Sequence, residues 1–185
     1  MKTNRAILFI SLLATTTLQA QNRLFTRTGT LQFYSETPVE NIEAVNHQAS
    51  SVFDIETGEI AVSAQMKGFE FEKALMQEHF NENYVESEKF PATTFKGKLK
   101  NYDKSSFKTN QEYKIEIEGD LTLHGETKKI NSIATIFWGE KNIKANSSFN
   151  VSPNDFNIKI PKAVINNIAE SILVNVDLNL EPYQK

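Results

Sequence analysis

The chain has no cysteine among its 185 residues. Disulfides are therefore excluded, although export would permit them. A lipid-anchored lipoprotein is excluded too, because no cysteine lies near any cleavage point. Glycine and proline are scarce, at 7 and 5 residues, and no Gly/Ser or Pro-rich tract marks a linker. Charge of one sign is also missing. The formal net charge is −3 and lysines alternate with acids, which argues against a general nucleic-acid binder. After residue 20 no apolar run approaches the ~18 residues of a spanning helix.

Catalytic signatures are equally thin. No Gly-x-Ser-x-Gly elbow and no Gly-rich phosphate loop occurs. His47, His79 and His124 lie in separate segments, with no His-x-x-x-His or cysteine pair to hold zinc. Asp120 precedes His124 by four residues, about 13 Å along a strand, which is beyond hydrogen-bond reach. Glu116 and Glu118 sit on one strand face about 7 Å apart, and read more simply as the wet side of an amphipathic strand.

What is present begins with an address. Lys2 and Arg5 precede an apolar run from Ala6 to Leu13, and Ala14 to Ala20 turns small and polar. This is the layout of a secretory signal peptide over residues 1–20, with cleavage expected after Ala20. Residues 21–185 then form one domain with a sizeable core. Its location is expected to be periplasmic or secreted.

Thirteen phenylalanines against one tryptophan predict a Phe-rich interior. The dominant period is two. Leu31 and Phe33, Ile60 to Met66, Phe95 to Leu99, Ile115 to Leu123 and Ile172 to Leu180 all alternate with polar partners. Such alternation marks antiparallel strands with one buried and one wet face. Turns are expected at Thr57-Gly58, Gly125-Glu126 and Gly139-Glu140. The stretch from Ile130 to Trp138 alternates less cleanly, which suggests a strand covered on both faces by an outside helix. Two stretches carry helical spacing: Phe71 to Phe80, with Phe71, Ala74, Leu75 and Met76 on one face, and Pro161 to Ala169. The expectation is an all-β fold, an antiparallel barrel of about eight strands with one or two short helices over an opening.

Two motifs go further. Lys89-Phe90-Pro91-Ala92-Thr93-Thr94-Phe95 resembles a Lys-aromatic-Pro-x-x-x-Phe element. Gly119-Asp120-Leu121-Thr122-Leu123-His124-Gly125-Glu126-Thr127-Lys128 resembles a Gly-Asp-Leu-Thr-x-x-Gly-x-Thr-Lys turn. Both resemble the YceI-like family of lipocalin-like, exported barrels, and the similarity spans essentially the whole mature chain. The region Phe71 to Phe80 departs from the Leu-rich helix often found there, and Glu126 stands where an apolar residue is common. By resemblance the chain is a non-enzymatic binding protein for a long isoprenoid or similar amphiphilic lipid, serving transport, storage or sequestration.

From strand parity the expected wall residues are Phe33, Phe53, Met66, Phe95, Leu121 and Leu123. From helical spacing the expected lid residues are Phe71, Leu75, Met76 and Phe80. Gly119 leaves a gap in an inward row, either a bend or room for a ligand. No metal, cofactor or nucleic acid is expected, and a homodimer stays open. The alternatives are a barrel filled by its own side chains and used for interaction, or an enzyme acting on a lipid. A void above ~300 Å³ favours a ligand over a filled barrel.

Overall fold

The computed structural model describes residues 22–182. The signal-peptide expectation for residues 1–20 lies outside the described residues. Nine strands run through the described residues: β1 Arg23–Glu36, β2 Asn41–Asp54, β3 Glu59–Gln65, β4 Glu70–Phe71, β5 Ala92–Leu99, β6 Gln111–Leu123, β7 Glu126–Trp138, β8 Ile143–Val151 and β9 Ile172–Pro182. The ladder runs β1-β9-β8-β7-β6-β5-β3-β2, and β2 pairs back onto β1, so eight antiparallel strands close a barrel. Closure removes the open edges of a flat sheet. The two-residue β4 pairs with Ala44 and Val45 of β2, beyond the Ser50–Phe53 stretch that β3 occupies. A 3₁₀ turn, Met66–Gly68, separates β3 from β4.

The two longest strands bend together. On β1, Leu24 and Thr26 face inward, then Arg27 and Thr28 both face out before Gly29 and Leu31 return to the interior. On β2, His47 and Gln48 interrupt Asn46 and Ala49 in the same way. The β1–β2 register shifts across these residues, as a bulge that re-aims a strand requires. The bend is held by Asn46, which is buried: its Nδ2 donates to Gln65 O at 2.9 Å and its Oδ1 accepts from Gln48 N at 2.8 Å. Between β6 and β7 the hairpin turns through His124 and Gly125, both with positive φ (50° and 78°). A two-residue turn of type I′ needs that sign at both positions.

One end of the barrel is plugged. Phe53 meets Tyr102 and Trp138 edge-on at 6.2 and 6.3 Å, and Phe107 lies 4.9 Å from Trp138. Leu24, Ile60, Leu99, Ile136, Leu178 and Leu180 fill the space beneath them. The β5–β6 connection carries Tyr102 and Phe107 over this end. Tyr102 Oη donates to Ile55 O at 2.6 Å, and Asp103 caps a 3₁₀ turn by accepting from Ser105 N at 2.9 Å. The other end is covered by helix α1, Ala74–His79, which continues as a π turn through Phe80–Tyr84. A 3₁₀ segment, Lys162–Asn167, lies beside it, where the sequence predicts a short helix before the last strand.

Two expectations are corrected. Among the described residues no helix covers the Ile130 to Trp138 stretch: β7 leaves Ile133 and Phe137 on the outer face, 54% and 38% exposed. The helical stretch also starts later than predicted and is rotated. Phe71 belongs to β4, and α1 starts three residues later.

Candidate functional site

Between the plug and α1 lies a cavity of about 330 Å³. Its wall is built by strand parity. Leu31 and Phe33 of β1, Phe95 of β5, Leu121 and Leu123 of β6, Phe149 of β8, and Val174 and Val176 of β9 all line it. Phe33, Phe95, Leu123, Phe149, Val174 and Val176 are only half-buried although they point inward. An inward apolar side chain left partly uncovered faces a void, because a packed interior would bury it fully. Small inward residues create the space: Ala64, Ser132, Ala134, Ala145 and Ser147 also line it.

The lid is aromatic. Phe33 packs against Phe69, Phe71 and Phe80 at 5.6, 5.8 and 5.5 Å, and Phe71 and Phe80 stand 5.0 Å apart. Such pairs add about 0.5–1.5 kcal/mol each beyond the area they bury. This cluster ties β1, β4 and the turn after α1 together over the cavity mouth.

The glycine gap has an occupant. Gly97 and Gly119 face each other across the β5–β6 ladder. A Cβ on Gly119 would sit 2.6 Å from the Phe95 ring, 2.4 Å from Lys96 O and 2.5 Å from Gly97 Cα. The missing side chains let Phe95 lie close across the strand pair. At Gly119, where the gap is expected to serve either a bend or a ligand, the space is taken by protein.

The site selected from sequence divides. Phe33, Met66, Phe71, Met76, Phe80, Phe95, Leu121 and Leu123 line the cavity. Phe53 does not: it is buried in the plug, because parity fixes which way a strand residue points and not how deep it lies. Leu75 does not either: it is 60% exposed on the outer side of α1. The inward helical positions are Met76, His79 and Phe80, spaced i, i+3, i+4, and Leu75 falls one residue out of that phase.

Polar groups in the wall are few and mostly engaged. Ser132 Oγ stands 2.8 Å from Ser147 Oγ and donates to Ser148 O at 2.8 Å. Thr93 Oγ1 donates to Thr122 O at 2.9 Å, and Ser35 Oγ accepts from Ala169 N at 2.8 Å. Glu40, in the β1–β2 turn at the mouth, accepts from Lys73 Nζ at 3.4 Å and from Asn167 Nδ2 at 3.2 Å. Burial raises the phenol of Tyr84 above the ordinary tyrosine range and keeps it neutral.

A cross-link missing from the sequence reading sits at the same end. His124 Nε2 lies 2.7 Å from Glu86 Oε2, and its Nδ1 lies 2.9 Å from Phe156 O. Each ring nitrogen thus faces an oxygen acceptor. The His124 hydrogen bond holds the Glu86 carboxyl below the ordinary glutamate range, with Lys89, His124 and Lys159 charges adding to it. The ring stands edge-on to Phe90 at 4.6 Å. The clamp joins three segments that are far apart in the chain, so no local spacing could have revealed it. Asp120 is instead paired with Lys129 across the β6–β7 ladder at 2.9 Å. His47 pairs with Thr30 on the exposed outer face. Among the described residues no group of three or more His, Cys, Asp or Glu could hold a metal ion.

Fold and cavity together define a class: a closed eight-stranded antiparallel barrel of lipocalin type with an apolar chamber beneath a short helix. Within that class the chain belongs to the YceI-like family, whose domain model matches residues 14–180. Solved structures share the fold at low identity. A polyisoprenoid-binding domain from Saccharophagus degradans, implicated in plant cell wall breakdown, superposes with a TM-score of 0.77 at 13% identity, covering 88% of this chain and 99% of that one. BcnA of Burkholderia cenocepacia gives 0.68 at 12% identity, covering 82% and 95%. A Campylobacter jejuni YceI protein gives 0.59 at 16% identity, covering 98% and 94%. Among curated proteins none matches the chain.

Proposed function

We propose that this chain is an exported, non-enzymatic carrier that holds a long isoprenoid or similar amphiphilic lipid in its barrel, for transport, storage or sequestration. One observation carries the reading: inward phenylalanines, leucines and valines left half-uncovered around a cavity of about 330 Å³. Ligand pockets begin at about 300 Å³ and are mostly apolar. Each buried CH₂ of a lipid tail contributes roughly 0.8 kcal/mol, so a ten-carbon segment yields about 8 kcal/mol before ordering costs. A structural neighbour described as a polyisoprenoid-binding domain supports the ligand class.

Binding is favoured over catalysis because the inward Ser132, Ser147 and Thr93 hydroxyls bond to one another or to backbone carbonyls. None of the three is hydrogen-bonded to an imidazole that could act as its base. Residues 1–20 supply the export signal in this reading, and the mature protein works in the periplasm or beyond. Among the described residues no helix is long and apolar enough to cross a membrane.

The test is a titration of delipidated protein with an isoprenoid, repeated on Val174→Trp. Val174 is half-buried on the cavity wall, so the indole fills the void. Tight binding by the unmodified chain, with at least a tenfold loss in the folded variant, supports the carrier. Equal affinity in both places the lipid elsewhere and contradicts it.

A further inference from the structure

Resting on the carrier reading above, we infer that the chamber selects a lipid whose polar end is an uncharged hydroxyl over one ending in a phosphate. The hydroxyl seats at the mouth, against the carboxylate of Glu40.

The cavity lining carries one carboxylate, that of Glu40, and among the described residues no lysine or arginine. A phosphate drawn to the mouth would therefore find no free cation in the lining to replace its water. The ammonium beside Glu40 is already engaged: Lys73 is paired to it at 3.4 Å, so the two together present no net charge that would attract a phosphate. The two arginines of the described chain, Arg23 and Arg27, lie on the part of β1 toward the plugged end, and Arg23 is paired with Asp54. A phosphate asks for Arg or Lys donors in a fork or cluster. None is built here.

The mouth offers acceptors instead. An ionised carboxylate has about four lone-pair sites. Glu40 uses them for two long contacts, Lys73 at 3.4 Å and Asn167 at 3.2 Å, and can accept a further O–H. The amide that might have served an anion, Asn167 Nδ2, already donates to Glu40. Deeper in the wall, the Ser132 and Ser147 hydroxyls spend their protons on each other and on the carbonyls of Ser148 and Ile133. That pair too presents lone pairs more than protons. Tyr84 adds a neutral phenol and His79 an imidazole on the exposed rim of α1. An alcohol or phenol is matched by this arrangement, and a phosphate must enter against it.

The experiment compares geranylgeraniol, geranylgeranyl phosphate and geranylgeranyl diphosphate, which share one tail, by displacement of a bound fluorescent lipid from the delipidated mature protein. Glu40→Gln is measured beside it. The substitution removes the charge and spares the turn, which Thr37 holds through the backbone of residue 40. The alcohol is expected to bind at least tenfold tighter than the diphosphate, with the monophosphate between them, and Glu40→Gln to shrink that ratio at least threefold. Equal or tighter binding of the diphosphate overturns the inference and leaves the carrier reading intact. An unchanged ratio in Glu40→Gln overturns the role of Glu40. Failure of all three to bind overturns the carrier reading itself.

Discussion

The two ends of this barrel use the same residue type for opposite purposes. At the plugged end Phe53 meets Tyr102 and Trp138 edge-on and Phe107 packs tilted against both, over leucines and isoleucines that are almost fully buried. At the mouth Phe33, Phe69, Phe71 and Phe80 make contacts of the same 5–6 Å length, yet Phe33, Phe71 and Phe80 stay half-uncovered above a void. The difference teaches that aromatic density alone does not distinguish core from binding wall. What distinguishes them is the size of the opposing inward residues. Large aliphatics face the plug, while Ala64, Ala145, Ser132 and Ser147 face the chamber. Unused apolar surface is concentrated at the chamber end.

The sharpest break of this comparison is a matched pair of truncations. Phe53→Ala, at 3% exposure, removes a ring from close packing and should cost about 3–5 kcal/mol in urea unfolding. Phe33→Ala should cost roughly half as much and instead weaken lipid binding. Equal losses of stability would erase the distinction between the ends. Between the ends, Gly119→Ala forces a methyl to within 2.4 Å of Lys96 O and 2.5 Å of Gly97 Cα. Backbone cannot step aside cheaply, so a loss of about 1–3 kcal/mol is expected. A neutral Gly119→Ala would show that β5 and β6 are looser than described.

Two smaller effects separate the ends by pH. At the plug, burial, followed by the charges of Glu56, Asp54 and Asp103, pushes Tyr102 up to about 12. A raised pKa gives stability that is whole below the ordinary tyrosine range of about 10 and is lost as pH climbs toward the folded value. Unfolding midpoints measured from pH 9 to 12 should fall, and Tyr102→Phe should remove this group's share of the slope. At the mouth the sign is opposite. The carboxyl of Glu86 is depressed by His124, so its stabilisation is present above the ordinary glutamate range and is lost as pH falls through the lower folded value. Glu86→Gln should lower the unfolding midpoint at pH 7 and make little difference at pH 3. Glu86 is exposed, so this is the smallest effect of the set. An acid-independent difference would mean that the clamp works by shape and not by charge.

Much of this architecture was legible in the residues, and the exceptions follow a pattern. β3, β5, β6 and β9 alternate clearly, and the family resemblance matched the domain. β2 and β8 carry no such signal. Their inward positions include Ala44, Asn46, Ala49 and Ser51 on one strand, and Ala145 and Ser147 on the other. On β8, Ala145 and Ser147 line the open space, so residues that create the chamber also erase the period that would announce its wall. On β2 the bulge at His47 and Gln48 breaks the phase as well. Depth was illegible for a different reason: Phe53 and Phe33 have equivalent inward parity, and only the closed ladder sends one to the plug and the other to the chamber. Leu75 failed on helical phase, since α1 begins after β4 and not at Phe71. The Glu86–His124–Phe156 clamp depends on three loops meeting, which no local pattern encodes.

The central claim is that the chamber is a lipid site, and native mass spectrometry of the mature protein purified from its own host tests it most directly. The account predicts a one-to-one complex whose extracted mass is an isoprenoid lipid, displaced in Val174→Trp. A clean apo mass under gentle conditions, unchanged by added isoprenoid, would contradict it.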